Sequence, residues 1–493
     1  MRPDHAALRH GEREITYAEL DERSNRLAQA LLGAGVEPGS RVAYLGSTAP
    51  EVVELFFAAA KIGAVTVPLN WRLAQRELSL VVADAQPPVV VADDTYAATA
   101  AELAEVQSPA AELVVVGDAY ERMLAEHEAV DPGGRGDSGD VVLQMYTSGT
   151  TGLPKGVLTT HRNLAAAAET SPYWAFDSES VSMTPIPMFH IGGIGWAFLG
   201  LWNGATTVLV SQFDPEGVLD VLDRRRVTNA VLVPTMIQML TAVPGAAGHD
   251  FSALRSIAYG ASPITTPVLK AALRTFRCPL FGVYGLTEST GGVVNLEPDD
   301  HDPDGPRAHL LHSAGRPLPW VELRIADPAT GSELAPGEVG EVWLRAPNVM
   351  AGYFNRPAET DAALAPGGWL RTGDGGYIDA EGYLFLTDRI KDMIVSGGEN
   401  VYPIEVEEVL SQHPGVGDVT VIGVPDERWG EAVRALVIRR PGSEVDADEL
   451  VAFARERLAA YKLPRAVEFV EDFPRTPTGK VLKRELRERY ARP

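Results

Sequence analysis

Eleven consecutive residues, Tyr146-Thr147-Ser148-Gly149-Thr150-Thr151-Gly152-Leu153-Pro154-Lys155-Gly156, combine the residue types that hold a chain of phosphates. Glycines let backbone N–H groups close on an anion, the hydroxyls of Thr147, Ser148, Thr150 and Thr151 add donors, and Lys155 adds charge. The run follows directly on an apolar strand, Val141 to Met145, which would fix its position. A Walker A loop requires Gly-Lys-Ser/Thr, whereas Lys155 here follows Pro154, so a P-loop NTPase is disfavoured. Composition alone would allow a flexible polar loop; the order of the residues after a strand weighs against that.

Four further runs could share in such chemistry. Tyr284-Gly285-Leu286-Thr287-Glu288 follows the strand Leu280 to Val283. Its ring can stack on a purine, its hydroxyl can hold a phosphate oxygen, and its carboxylate can bind Mg²⁺, a hard cation. Taken singly, the run is equally a turn capped by Thr-Glu. In Arg371-Thr372-Gly373-Asp374 the aspartate can accept both hydroxyl protons of a sugar, or simply cap a loop. Pro187-Met188-Phe189-His190-Ile191-Gly192-Gly193 places one imidazole in an apolar run, where a satisfied core histidine is the commoner role. Near the end, Pro474-Arg475-Thr476-Pro477-Thr478-Gly479-Lys480 sets a lysine behind a Pro-Thr-Gly turn.

These runs need a scaffold of several layers. A chain of 493 residues, 45% hydrophobic, is too long for one core. Short apolar strands such as Arg41 to Leu45, Val89 to Ala92 and Ala205 to Val210 alternate with helical stretches such as Tyr17 to Leu32 and Glu51 to Lys61. The alternation predicts an α/β fold with parallel sheets in a large N-terminal domain. Turn residues cluster at 295–320, and hairpins are predicted from Val321 to about residue 387, a β-rich subdomain. A charged stretch, Asp388 to Asp392, then precedes a fresh α+β pattern. The expected division is a domain at 1–388, a hinge at 389–392 and a small C-terminal domain at 393–493. Residues 131–140 read as a surface loop, and no internal repeat is visible.

Bulk chemistry narrows the partners. The formal charge of −24 would repel phosphate backbones and anionic headgroups, so neither nucleic acid nor an anionic membrane is expected. No apolar run reaches the ~20 residues that span a bilayer, and Met1-Arg2-Pro3-Asp4-His5 lacks a basic-then-apolar leader. Cys278 is the single cysteine, which excludes an intramolecular disulfide and points to a reducing cytoplasm. Its apolar setting suits a small buried hydrophobe better than a nucleophile.

The motifs, in this order from Ile15-Thr16-Tyr17 to Gly479-Lys480, resemble the adenylate-forming superfamily of acyl-CoA synthetases, beetle luciferases and peptide synthetase adenylation domains. Bacterial fatty acyl-CoA synthetases resemble it most, through runs that include Pro68-Leu69-Asn70-Trp71-Arg72. The resemblance implies an AMP-forming acid–thiol ligase that uses ATP and Mg²⁺ to make an acyl adenylate and then passes the acyl group to coenzyme A. It implies that Thr147, Ser148, Gly149, Thr150, Thr151 and Lys155 hold the phosphates. Gly260, Ala261, Ser262 and Tyr284 would hold adenine, Asp374 and Arg389 the ribose, Thr287 the α-phosphate and Glu288 magnesium. Lys480 would neutralise charge that appears between the carboxylate and the α-phosphate in the transition state. Lys391 would be the pivot on which the small domain turns between two half-reactions.

Coenzyme A is implied by Gly397 and Gly398, which resemble a pantetheine tunnel, and by Trp429, which is similar to a tryptophan set against the nucleotide. Alone, Trp429 is as consistent with a packed surface aromatic. The same resemblance puts the acyl pocket at His190, Gly193, Tyr259, Gly285 and Gly291, with His190 at the gate and catalytic beside Lys480, Thr287 and Glu288. Tyr259 would shorten the pocket or offer its hydroxyl to the substrate, and Gly192-Gly193 with Thr290-Gly291-Gly292 would leave room. No basic residue stands in these segments, which disfavours a dicarboxylate. A medium- or long-chain fatty acid is expected, with an aryl or arylpropenoic acid as alternative. Other acceptors, namely a carrier protein or an amine diazotised through ATP-activated nitrite, stay open; the absence of an attached carrier domain favours the free thiol. The helix that relatives usually carry before Asp4 is missing here, and a homodimer is left open.

Overall fold

The computed structural model describes residues 2–105, 107, 110–134, 136–147, 154–262, 264–389, 394–396, 399–426, 429–475 and 481–490, with the side chains of 388, 389, 395, 399 and 400 left aside. Local signals set the first elements. Thr16 accepts from the Glu19 N–H while Glu19 reaches back to the Thr16 N–H, a capping box that starts the helix Tyr17–Gly33. Leu20, Leu27 and Leu31 on that helix are buried and join a core shared with the helix Pro50–Ile62.

Two mixed sheets form the N-terminal body. One runs, in spatial order, Gly352–Tyr353, Lys155–Thr160, Val141–Thr147, Val65–Pro68, Arg41–Leu45, Val89–Ala92 and Glu112–Val115. The other runs from Arg316–Pro317 through Gly291–Leu296, Leu280–Leu286, Ser256–Gly260, Asn229–Leu232, Val181–Thr184, Thr206–Leu209 and Ala6–His10 to Arg13–Thr16. The inner pairs are parallel, as the alternation of strands and helices predicts. At the two chemical motifs, however, the chain turns antiparallel. Val141–Thr147 pairs with Lys155–Thr160, and Leu280–Leu286 with Gly291–Leu296. Connections this short cannot cross over a sheet, so the strands they join must be antiparallel.

Hairpins appear where expected: Glu322–Ala326, Gly340–Arg345, Trp369–Ile378 and Leu384–Arg389 form an antiparallel sheet with Leu364–Ala365. A fourth sheet begins at Ile394 and has its own core of Ile394, Val401, Val406, Leu410, Val421 and Leu450. The helix Pro403–Ser411 beneath it meets the N-terminal body, where Thr266 Oγ1 donates to Glu408 Oε1 over 2.9 Å. Gln238 Nε2 adds a 3.3 Å bond to the Gly417 carbonyl. Among the described residues no helix is long and apolar enough to cross a membrane.

Candidate active site

Residues from three sheets meet at one edge of the N-terminal body. Thr147 ends its strand opposite Lys155, so the hairpin brackets the phosphate-loop residues. Ser148, Gly149, Thr150 and Thr151 themselves lie outside the described residues. Tyr146, the first residue of the run, turns away from ligand duty: its hydroxyl donates to Asp84 Oδ2 and accepts from Gln144 Nε2, both at 2.8 Å. Burial first, then Asp84, pushes that phenol far up, so it stays protonated and anchors the root of the loop.

Across from the hairpin, Thr287–Ser289 makes one tight turn after the strand Leu280–Leu286. Ser289 Oγ binds the Leu286 N–H and the Gly291 carbonyl, which closes the turn and fixes Thr287 and Glu288. Asn348, fully buried, donates to the Ser289 carbonyl at 2.8 Å. The following strand, Gly352–Tyr353, pairs with Lys155–Thr160 and brings in a residue that sequence reasoning missed. Tyr353 donates its hydroxyl to Glu288 Oε1 at 2.9 Å, and Lys155 Nζ stands 5.0 Å from the centre of the same ring. Nothing in the short run Gly352-Tyr353 marks it as functional; only the pairing with the lysine strand does.

The sugar and base candidates also converge. Tyr284 donates to Asp374 Oδ2 over 2.8 Å although 90 residues separate them. Asp374 lies opposite Arg389 in register, and its N–H binds Thr372 Oγ1 at 3.0 Å. Gly260 ends the neighbouring parallel strand beside Val283, and Ala261 just after it has φ +68°, a left-handed conformation that non-glycine residues seldom adopt. Ser262 is half-buried on the same turn.

His190 is the N-cap residue of the helix Ile191–Trp202 but makes no capping bond with its side chain. The residue keeps some exposure, yet Nε2 is fully covered and has no partner. Burial, reinforced by the Arg72 charge, holds its pKa down at about 4, so the imidazole is neutral and can donate or accept. Arg72 lies over the Trp71 ring, whose edge meets Phe189 next to His190.

Three of the expected pocket residues have other roles. Tyr259 points to the opposite face of its strand, into the core of Leu232, Leu240, Leu269 and Phe276. Its hydroxyl lies 2.9 Å from His301 Nε2, while His301 Nδ1 lies 2.7 Å from the Glu297 carbonyl. A carbonyl only accepts, so Nδ1 carries the proton and Tyr259 donates to Nε2, leaving that hydroxyl no donor for a substrate. Period-two alternation along Ser256–Gly260 put Ala258, not Tyr259, on the site's face. Gly193 and Gly285 do not provide room: a Cβ at the first would collide with the Pro187 carbonyl, and at the second with the Gly291 carbonyl. Gly291 does face open space.

Glu288 suits magnesium as a single carboxylate. Among the described residues no group of three or more His, Cys, Asp or Glu is gathered for a metal, and Mg²⁺ characteristically takes one or two carboxylates plus water and phosphate oxygens. Lys391, Gly397, Gly398 and Lys480 lie outside the described residues, as does the side chain of Arg389. Trp429 precedes the strand Gly430–Arg439, with its N–H on Asp426 Oδ1 and the Arg465 guanidinium 4.7 Å above its ring. Cys278 is buried, and burial pushes its thiol up to about 12, which makes it inert.

Comparison with known proteins gives the chain's family and relatives. The profile described as AMP-binding enzyme matches residues 1–354, and the AMP-binding enzyme C-terminal domain matches 405–480. A fatty acid–[acyl-carrier-protein] ligase of Streptomyces coeruleorubidus is 40% identical, covering 97% of this chain and 92% of the relative. A feruloyl-CoA synthase of an Amycolatopsis species is 42% identical over 99% of this chain and 97% of its own. The crystal structure of ATP-bound MatB from Rhodopseudomonas palustris superposes with a TM-score of 0.92 at 31% identity, covering 99% of this chain and 96% of that one.

Proposed function

The chain belongs to the AMP-binding enzyme family, and from that premise we propose an ATP-dependent carboxylic acid–CoA ligase that works through an acyl adenylate. The convergence of Lys155, Glu288, Tyr284 and Asp374 from three sheets supports this reading most directly. Asp374 and Arg389 take the ribose, Tyr284 and the turn Gly260-Ala261-Ser262 the base, and Thr147 with Lys155 the phosphates. Thr287 holds the α-phosphate in line with the incoming carboxylate. Glu288 would hold Mg²⁺, which would supply positive charge to offset that of the departing pyrophosphate. Lys480 adds its charge in the transition state. His190, neutral and unpartnered at Nε2, borders the carboxylate between the start of the helix Ile191–Trp202 and the strand Gly291–Leu296.

After adenylation the C-terminal domain, 393–493, turns about Lys391 and presents Gly397, Gly398 and Trp429 to coenzyme A. Exchange of one lid for another keeps water from the mixed anhydride. The acid is a medium- or long-chain fatty acid or an aryl or arylpropenoic acid, and the enzyme works in the cytoplasm, alone or as a homodimer. A second reading, transfer to a carrier protein, is favoured by the 40% identical Streptomyces relative, whose name gives that acceptor. The test is incubation with ATP, Mg²⁺ and a panel of acids, with and without CoA, read by mass spectrometry. CoA-dependent AMP release with a matching thioester supports the ligase; AMP without thioester moves the assignment to another acceptor.

A further inference from the structure

The structure assigns Glu341 a positioning role: its carboxylate holds the bulge that aims Asp374 at the ribose, and so sets how well the site reads the two sugar hydroxyls. This assignment rests on the reading of Asp374 as the ribose ligand. The strands Gly340–Arg345 and Trp369–Ile378 run antiparallel, with Gly340 opposite Gly376, Glu341 opposite Gly375 and Trp343 opposite Arg371. Between the last two pairs Val342 alone faces Thr372, Gly373 and Asp374. Extra residues on one strand make a bulge, which re-aims a side chain away from the regular alternation.

Two side chains pin that bulge to the facing strand. The Thr372 hydroxyl donates to the Val342 carbonyl at 2.7 Å and accepts from the Asp374 N–H at 3.0 Å. Glu341 Oε1 accepts from the Gly373 N–H at 3.0 Å, and a bond to a carboxylate is the stronger kind. Gly373 has φ +73° and would otherwise be the loosest point of the turn, because glycine loses more freedom on ordering than any other residue.

Glu341 is itself fixed. Its other oxygen, Oε2, accepts from the Trp343 indole N–H at 2.8 Å. Trp343 is 4% exposed and is flanked by two guanidinium groups, Arg324 at 4.4 Å and Arg371 at 4.8 Å from its ring centre. Arg324 also lies 4.4 Å from the Trp369 ring, and Arg345, held by Glu322, lies 4.9 Å from the same ring. Arg345, Trp369, Arg324, Trp343 and Arg371 therefore alternate cation and ring across three strands, each contact adding attraction. Such a stack would serve the sheet alone if Glu341 stopped at the indole. The second oxygen, on Gly373, carries its rigidity to the turn that bears Asp374. Tyr284 holds Asp374 from the other side at 2.8 Å, so loss of Glu341 should weaken ribose recognition without abolishing it.

The experiment measures by calorimetry the affinity of the full chain for Mg·ATP and for Mg·2′,3′-dideoxy-ATP, which lacks both hydroxyls. It compares wild type, Glu341→Ala, Glu341→Gln, Trp343→Phe and Asp374→Ala, with thermal unfolding of each. Wild type should favour ATP by about ten- to hundredfold, and Asp374→Ala should lose that preference. Glu341→Ala should reduce it by about three- to tenfold, with affinity for the dideoxy nucleotide nearly unchanged. Glu341→Gln, which keeps one acceptor oxygen, and Trp343→Phe should fall between. A purely structural role would weaken both nucleotides alike. An undiminished preference for ATP in Glu341→Ala, or in Glu341→Gln where the alanine variant does not fold, therefore overturns the positioning role while leaving the ligase standing. Equal binding of the two nucleotides by wild type overturns the ribose reading of Asp374, and this assignment with it.

Discussion

Tyr353 donates its hydroxyl to Glu288 Oε1 at 2.9 Å, which ties the carboxylate proposed for magnesium to the strand that pairs with Lys155. Loss of one such bond to a charged group is worth about 1.5–3 kcal/mol, or roughly ten- to hundredfold. Tyr353→Phe should therefore raise the Mg²⁺ concentration that half-saturates pyrophosphate release, with a smaller change in kcat. Direct titration of Mg·ATP binding by calorimetry is the independent check. Equal binding by the two proteins would leave Tyr353 a packing residue.

Protonation of His190 is disfavoured in the folded state. With a folded pKa of about 4 against about 6.5 unfolded, the unfolded chain binds more protons between those values, so stability falls as the pH drops through that window. Below pH 4 the loss from this group is complete, on the order of 3 kcal/mol at about 1.4 kcal/mol per pKa unit. Urea unfolding of wild type and His190→Asn at pH 7, 6, 5 and 4 should show the wild type losing more stability on acidification. Parallel curves would mean that His190 takes up its proton as readily in the folded as in the unfolded chain, so that burial does not hold it neutral.

Tyr259→Phe tests a different assignment. Removal of the hydroxyl leaves His301 Nε2 buried without a donor, at a cost of about 1–3 kcal/mol in unfolding free energy. Selectivity among acids should stay unchanged, because the ring faces the core of Leu240 and Phe276 rather than the site. A change in acid preference at full stability would return Tyr259 to the pocket.

Legibility differed between these residues for a physical reason. The side chains proposed for the nucleotide and its magnesium sit in runs of unusual composition, so Lys155, Glu288 and Asp374 stand out from sequence, and the structure brings all three to one edge. Tyr353 lies in an ordinary two-residue strand, Gly352–Tyr353, and gains its role only from pairing with a strand nearly two hundred positions earlier. Tyr259 was misread because one step along a strand reverses the face, and the run Ser256–Gly260 is buried on both sides, which hides the alternation. Gly193 and Gly285 read as room for substrate, whereas tight backbone packing requires them. Period and length sufficed for the α/β layers and the hairpins from Val321. The antiparallel turns at the motifs follow from loop length, since so few residues separate the paired strands.

Two substitutions outside the described residues separate the half-reactions. Lys480→Ala removes the cation proposed to act on charge present only in the transition state, so pyrophosphate release should fall by about 10²- to 10³-fold. Circular dichroism and unfolding should match wild type, since one lysine contributes little packing. Gly398→Trp adds an indole at the position proposed for the thiol's path, so AMP-forming exchange with the acid should persist while thioester appears far more slowly. Pyrophosphate release at the original rate in Lys480→Ala would exclude that lysine from adenylation. Loss of both steps in Gly398→Trp would place Gly398 in the adenylation site and would leave Trp429, beside Arg465, to account for coenzyme A alone.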